Sequence, residues 1–100
     1  MATVFTIYAG FNGPLGEDEN KKILYRILAE CGVNGYTVTE GLGMYNGEPE
    51  ACALVTLIAP RDSLRDDLAE HLAEVAARYK DQAQQEEVWI TRRQEELLIV

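Results

Sequence analysis

Residues Ala51 to Ala59, Ala-Cys-Ala-Leu-Val-Thr-Leu-Ile-Ala, form a nearly unbroken apolar run that Pro60 closes. The run has the length of a strand and falls far short of the ~20 residues a bilayer-spanning helix needs. A strand that is apolar on both of its faces must be covered on both, so it belongs at the centre of a sheet. The rest of the chain must supply that sheet and its two covers.

The flanking sequence supplies the partners in a definite order. Thr3 to Ala9 alternates, with Val4, Thr6 and Tyr8 facing one way and Phe5, Ile7 and Ala9 the other, and reads as a first strand. Asn12-Gly13-Pro14-Leu15-Gly16 breaks it. Glu17, Asp18 and Glu19 suit a helix N-terminus, and a helix to about Cys31 places Ile23, Leu24, Ile27, Leu28 and Cys31 on one face. Gly32 or Asn34-Gly35 ends it. Tyr36 to Glu40 is a second strand, and a glycine-rich loop leads from it to the Ala51–Ala59 strand. Asp62 or Ser63 caps a second helix, whose stripe is Leu64, Leu68, Leu72, Val75 and Tyr79. Asp81 to Gln85 is a polar connector, Val88 to Thr91 a fourth strand, and Leu97 to Val100 a short extra C-terminal strand.

Strand-helix-strand-strand-helix-strand is the split βαβ plan, so the expected fold is α+β, ferredoxin-like βαββαβ, as one domain over residues 1–100. Two helices cover one sheet face. Tyr8, Tyr36, Trp89 and the apolar third strand leave too much on the other, which predicts that subunits associate through their sheets, as a homotrimer.

Charge narrows the partners. The net charge of −8 argues against nucleic acid and against anionic membranes, and the basic clusters Lys21-Lys22-Arg26 and Arg92-Arg93 are too small for a nucleic-acid stripe. Met1 to Gly10 has no signal-peptide pattern. Cys31 and Cys52 sit in apolar patterns and read as buried free thiols, and a single histidine makes a zinc site improbable. These features predict a cytoplasmic protein without metal or cofactor.

Gly35 to Glu50, GYTVTEGLGMYNGEPE, is the segment richest in chemistry. No Lys or Arg occurs between Ile27 and Pro60, so a ligand held there is neutral or cationic rather than gripped by its phosphates. Tyr45, at the expected loop tip, either bonds a ligand through its phenol or packs on a neighbouring subunit. Glu48 and Glu50, two apart in extended chain, either bind a cation, an amine or ribose hydroxyls, or form a solvated carboxylate pair at a strand end. Glu40, Gly41 and Gly43 border the same segment. Tyr8 and Phe11 end the first strand, where an aromatic either stacks on an adenine or packs the core. Arg92 and Arg93 either grip a phosphate or carboxylate, or pair with Glu95 or Glu96. Glu86 and Glu87 read as solvent-facing, and His71 as structural. No P-loop, nucleophile elbow or metal motif is present.

The whole chain resembles the P-II-like superfamily of small trimeric ferredoxin-like proteins. Gly35-Tyr36-Thr37-Val38, Gly41-Leu42-Gly43, Tyr45-Asn46-Gly47-Glu48-Pro49-Glu50 and Arg92-Arg93 carry the likeness. It implies small ligands, usually adenine nucleotides, in clefts between subunits near the loop joining the second and third strands. That loop is shorter here than in the nitrogen-signalling members, which argues against their modification and transporter-docking role. The chain is also similar to the phage-encoded S-adenosylmethionine-degrading lyases, through Val4–Phe11, Gly43-Met44-Tyr45, the glutamate before the third strand, and Val88–Gln94. That resemblance implies a tyrosine and a glutamate at the site, which map to Tyr45 and Glu50. Three functions follow: a lyase, a P-II-like nucleotide sensor or signal-sequestering protein, and a ligand-free structural trimer.

Overall fold

The computed structural model describes residues 1–100. The first strand is β1 (Ala2–Gly10), which sends Phe5, Ile7 and Ala9 into the core and, on its other face, buries Val4 and Thr6 while leaving Tyr8 exposed. The acidic first turn opens α1 (Glu17–Glu30), which buries Ile23, Leu24, Ile27 and Leu28. β2 (Thr37–Tyr45), β3 (Glu48–Ala59), α2 (Asp62–Gln82) and β4 (Trp89–Glu95) complete a ferredoxin-like βαββαβ chain. The sheet is antiparallel in the order β2-β3-β1-β4, with the apolar β3 at its interior. Both helices contribute to one core cluster with Phe5, Ile7, Val55 and Leu57.

β3 reports what covers it. Ala53, Val55, Leu57 and Ala59 are buried against the helices, whereas Cys52, Leu54 and Thr56 are half-buried and Ile58 is exposed. The strand is apolar on both faces, but this chain covers only one. The open face also carries Tyr8 and Trp89, 40% and 57% exposed and directly paired across β1 and β4.

Several boundaries differ from the sequence reading. The glycine-rich stretch is not a loop: Gly41 to Tyr45 continues β2, and β2 and β3 form a hairpin joined at Asn46-Gly47. Both residues have positive φ, 50° and 78°, as a two-residue type I′ turn requires. Leu97 to Val100 forms no strand, because β4 ends at Glu95 and the tail has no strand edge beside it. Leu64 is exposed rather than part of the stripe, since α2 packs tightly only from Leu72 to Tyr79. Neither Asp62 nor Ser63 caps α2; Arg61 holds the cap position without a side-chain bond. Arg92 and Arg93 lie within β4 instead of following it. Cys31 and Cys52 are free and half-buried. No helix is long and apolar enough to cross a membrane.

Candidate ligand-binding cleft

The C-terminal end of α2 creates one wall of a cleft. Gln84 N–H bonds the Asp81 carbonyl and Gln85 N–H the Lys80 carbonyl, the paired bonds of a Schellman stop. Gln84 takes the left-handed conformation, φ 53°, that glycine usually supplies there. The chain then turns Gln84 to Glu87 toward the sheet, and the Gln85 amide donates to the Asn12 carbonyl. Asn12 in turn donates to the Pro49 carbonyl at 3.3 Å, which joins the segment after β1 to the start of β3. The buried Asn20 of α1 donates to the Phe11 carbonyl at 2.8 Å and anchors the same segment from below.

Between these supports lies a cleft of about 540 Å³, within the range of small-molecule sites. Its walls are the hairpin tip (Gly43 to Asn46), the end of β1 (Tyr8 and Gly10), the loop Asn12 to Pro14, and Gln84 to Trp89. Four carboxylates line it, Glu48, Glu50, Glu86 and Glu87, together with the aromatic side chains of Tyr8, Tyr45 and Trp89. No Lys or Arg lines it. Such a site favours a cation by charge and an aromatic or cationic group by its ring faces. Trp89 is oriented by its indole N–H, which donates to Glu87 at 2.8 Å.

Glu50 sits at the floor. Gly43 on β2 is directly opposite it, and Gly10 on β1 lies under its carboxyl group. Burial, reinforced by the nearby Glu50 carboxylate, pushes the Cys52 thiol up. The same two causes, in the same order, push the Tyr79 phenol up from beneath. No group of three His, Cys, Asp or Glu side chains is placed to hold a metal ion.

The residues singled out in the sequence divide among five places. Tyr8, Gly43, Tyr45, Glu48 and Glu50 share the cleft. Gly41 lies two residues further along β2, opposite Cys52, with open space where a side chain would be. Glu40 points the other way, toward α1, where it accepts from the Tyr25 hydroxyl at 3.1 Å and pairs with Lys21 at 3.5 Å. Phe11 is in the core, 1% exposed, with the Lys21 ammonium 5.8 Å from its ring centroid.

Arg92 and Arg93 line a separate depression with Thr3, Arg65, Asp66 and Gln94. They stand three and four positions along β4 from Trp89, about 10 Å or more away. Arg93 pairs with Glu95. Local sequence does not mark Gly10, Cys52, Trp89 or the Gln84–Glu87 segment as site residues. Only the pairing of β1 with β3 and β4, and the turn after α2, bring them together.

No protein-family model and no curated protein matches the sequence. Solved structures do match. A phage S-adenosylmethionine lyase in its apo state is 18% identical, with a TM-score of 0.68 over 91% of this chain and 78% of that one. A phage S-adenosylmethionine lyase in complex with S-methyl-5'-thioadenosine is 15% identical, with a TM-score of 0.60 over 92% and 80%. A nitrogen-regulatory P-II-like protein from Thiomonas intermedia, bound to ADP, AMP and bicarbonate, is 15% identical, with a TM-score of 0.56 over 98% and 96%. At such identities the likeness carries the fold and not the chemistry. The chain has the ferredoxin-like architecture that phage S-adenosylmethionine lyases and P-II-like proteins share.

Proposed function

We propose that this protein is a homotrimer that binds S-adenosylmethionine in clefts between subunits and degrades it to methylthioadenosine and homoserine lactone. One observation carries the reading: the cleft has four carboxylates and three aromatic rings and no Lys or Arg. S-adenosylmethionine has a sulfonium, an ammonium and an adenine, and no phosphate. The trimer is supported by the half of β3 that this chain leaves uncovered, together with exposed Tyr8, Ile58 and Trp89 on the same face.

The chemistry asks little of side chains. A carboxylate oxygen of the substrate attacks its own γ-carbon, the carbon–sulfur bond breaks, and the electron pair leaves on sulfur. No proton has to move in that step. The rate comes from folding the substrate into the attacking geometry and from excluding water. The sulfonium loses its charge in the transition state, so a carboxylate held against sulfur stabilises the ground state more. Glu50 is therefore assigned to the ammonium, whose charge does not change, and Tyr45 to orienting the folded methionine portion through its hydroxyl. Tyr8 and Trp89 supply stacking surfaces for the adenine.

A second reading, a P-II-like nucleotide sensor or signal-sequestering protein, is favoured by the nearly end-to-end match to the nucleotide-bound P-II-like structure. It requires phosphate donors, and Arg92 and Arg93 of the same chain lie in the other depression. Incubation with S-adenosylmethionine, with methylthioadenosine measured by chromatography, separates the two. The lyase releases methylthioadenosine and gains no thermal stability from ATP. Absence of methylthioadenosine with an ATP-dependent rise in melting temperature supports the sensor.

A further inference from the structure

A β-carbon built on Gly10 would stand 2.5 Å from Glu50 Oε1, 2.7 Å from its Cδ and 2.8 Å from its Oε2. The whole carboxyl group thus rests on the bare α-carbon at the end of β1. Gly10 does not have the positive φ that would otherwise call for glycine, since β1 is still extended there. The glycine is explained by space and not by backbone conformation. Its carbonyl accepts from the buried Tyr79 hydroxyl, so the strand end is fixed from the helix side. On the neighbouring strand, Gly43 also faces Glu50, but a β-carbon there would meet nothing closer than 3.9 Å. Of the two glycines flanking Glu50, only Gly10 is filled by its carboxylate.

We infer that Gly10 is a positioning residue, whose missing side chain seats the Glu50 carboxylate on the floor of the cleft. Any β-carbon at position 10 displaces the carboxylate. The overlap is with the far end of a flexible side chain, so Gly10→Ala swings Glu50 aside and leaves the fold intact. The consequence for ligand binding rests on the lyase reading; the seating does not.

Cys52 gives a readout of the seating that needs no ligand. It is directly opposite Gly10 on one side and Gly41 on the other. Tyr8 is the nearest titratable group on β1 along the cleft, and Glu50 is the carboxylate whose charge raises the thiol. Iodoacetamide alkylation of Cys52, followed peptide by peptide across pH, should shift to lower pH in Gly10→Ala, toward the profile of Glu50→Gln. Gly43→Ala, whose β-carbon would stand 3.9 Å from the Cys52 sulfur without meeting the carboxylate, should not move the profile to lower pH. A folded Gly10→Ala protein with the wild-type profile, or an equal shift in Gly43→Ala, overturns the proposal. If Gly10→Ala fails to fold, adding Glu50→Ala should restore folding by removing the overlapping group; failure to restore it also overturns the proposal. In the ligand arm, Gly10→Ala and Glu50→Gln should each weaken S-adenosylmethionine binding about tenfold or more. Their combination should add nothing further. A shifted thiol profile with unchanged S-adenosylmethionine affinity upholds the seating and counts against the lyase reading.

Discussion

The hydroxyl of Tyr79, near the end of α2, donates to the carbonyl of Gly10, at the end of β1. Tyr79 is 1% exposed, so the bond crosses the core to reach the underside of the cleft. Tyr79→Phe keeps the ring and removes the donor. It should cost about 1–2 kcal/mol, the loss of one hydrogen bond plus a poorly satisfied carbonyl. Urea denaturation of the two proteins measures it, and an unchanged midpoint would show that the bond contributes nothing.

The same phenol makes stability depend on alkaline pH. Burial, and secondarily the Glu50 charge, hold its pKa above the ordinary tyrosine value, so the folded state resists ionisation that the unfolded chain accepts. The stabilisation is therefore complete below about pH 10 and is lost as pH climbs through the raised value. Tyr25 and Cys52 are also shifted upward and act in the same direction. Wild type should lose stability above pH 10 more steeply than Tyr79→Phe. Equal slopes would remove Tyr79 from the effect.

Tyr45→Phe and Glu50→Gln separate the lyase from its alternatives. Tyr45 is 41% exposed at the hairpin tip, so its loss of a hydroxyl should leave the melting temperature nearly unchanged while lowering methylthioadenosine release. Glu50→Gln should raise KM about ten- to a hundredfold, with a smaller effect on kcat, as expected when a charge-assisted contact to an unchanging ammonium is lost. Rates equal to wild type in both variants would exclude both residues from the mechanism.

The arginines of β4 give a control. Arg92→Ala with Arg93→Ala should leave S-adenosylmethionine affinity within about twofold, because their depression is separate from the acidic cleft. Calorimetry of the folded double variant decides it. A tenfold loss would place an arginine from a neighbouring subunit at the ligand.

Assembly can be tested on the open sheet face. Ile58 is 52% exposed beside Val4 of β1 and has no partner within the chain above it. Ile58→Asp should convert a trimer to monomers, as measured by light scattering at micromolar concentration, because it buries an unpaired charge in the proposed interface. A wild-type protein of monomer mass would remove the trimer outright.

Most of the architecture was legible because its signals are local. The alternation of Thr3–Ala9, the apolar stripe of α1 and the run Ala51–Ala59 each name their element by period. The glycine-rich stretch misled because glycine weakens a strand reading. Here Gly41 and Gly43 extend β2, and of the four glycines from Gly35 to Gly47 only the last, in Asn46-Gly47, marks a turn. Leu97–Val100 misled in the opposite way, since an apolar composition does not itself supply a strand to pair with. The cleft was half legible. Tyr45, Glu48 and Glu50 are close in sequence, but Trp89 reaches Tyr8 only through the β1–β4 register. Glu86 and Glu87 are exposed, as they read, but nothing local foretells that the left-handed Gln84 also sets them along the cleft.

The two-residue turn at Asn46-Gly47 has a consequence for how this protein can change over time. It locks β2 and β3 in a register where Tyr45, Gly43, Glu48 and Glu50 share one side of the hairpin. Side chains alternate with a period of two, so a single inserted or deleted residue within the β3 arm, between Glu50 and Ala53, would send Glu48 and Glu50 to the opposite face while the rest of the sheet stayed paired. Drift in the length of this arm is therefore restricted to even steps. A descendant with a longer hairpin and the same chemistry should carry two, or four, extra residues in this arm, and not one.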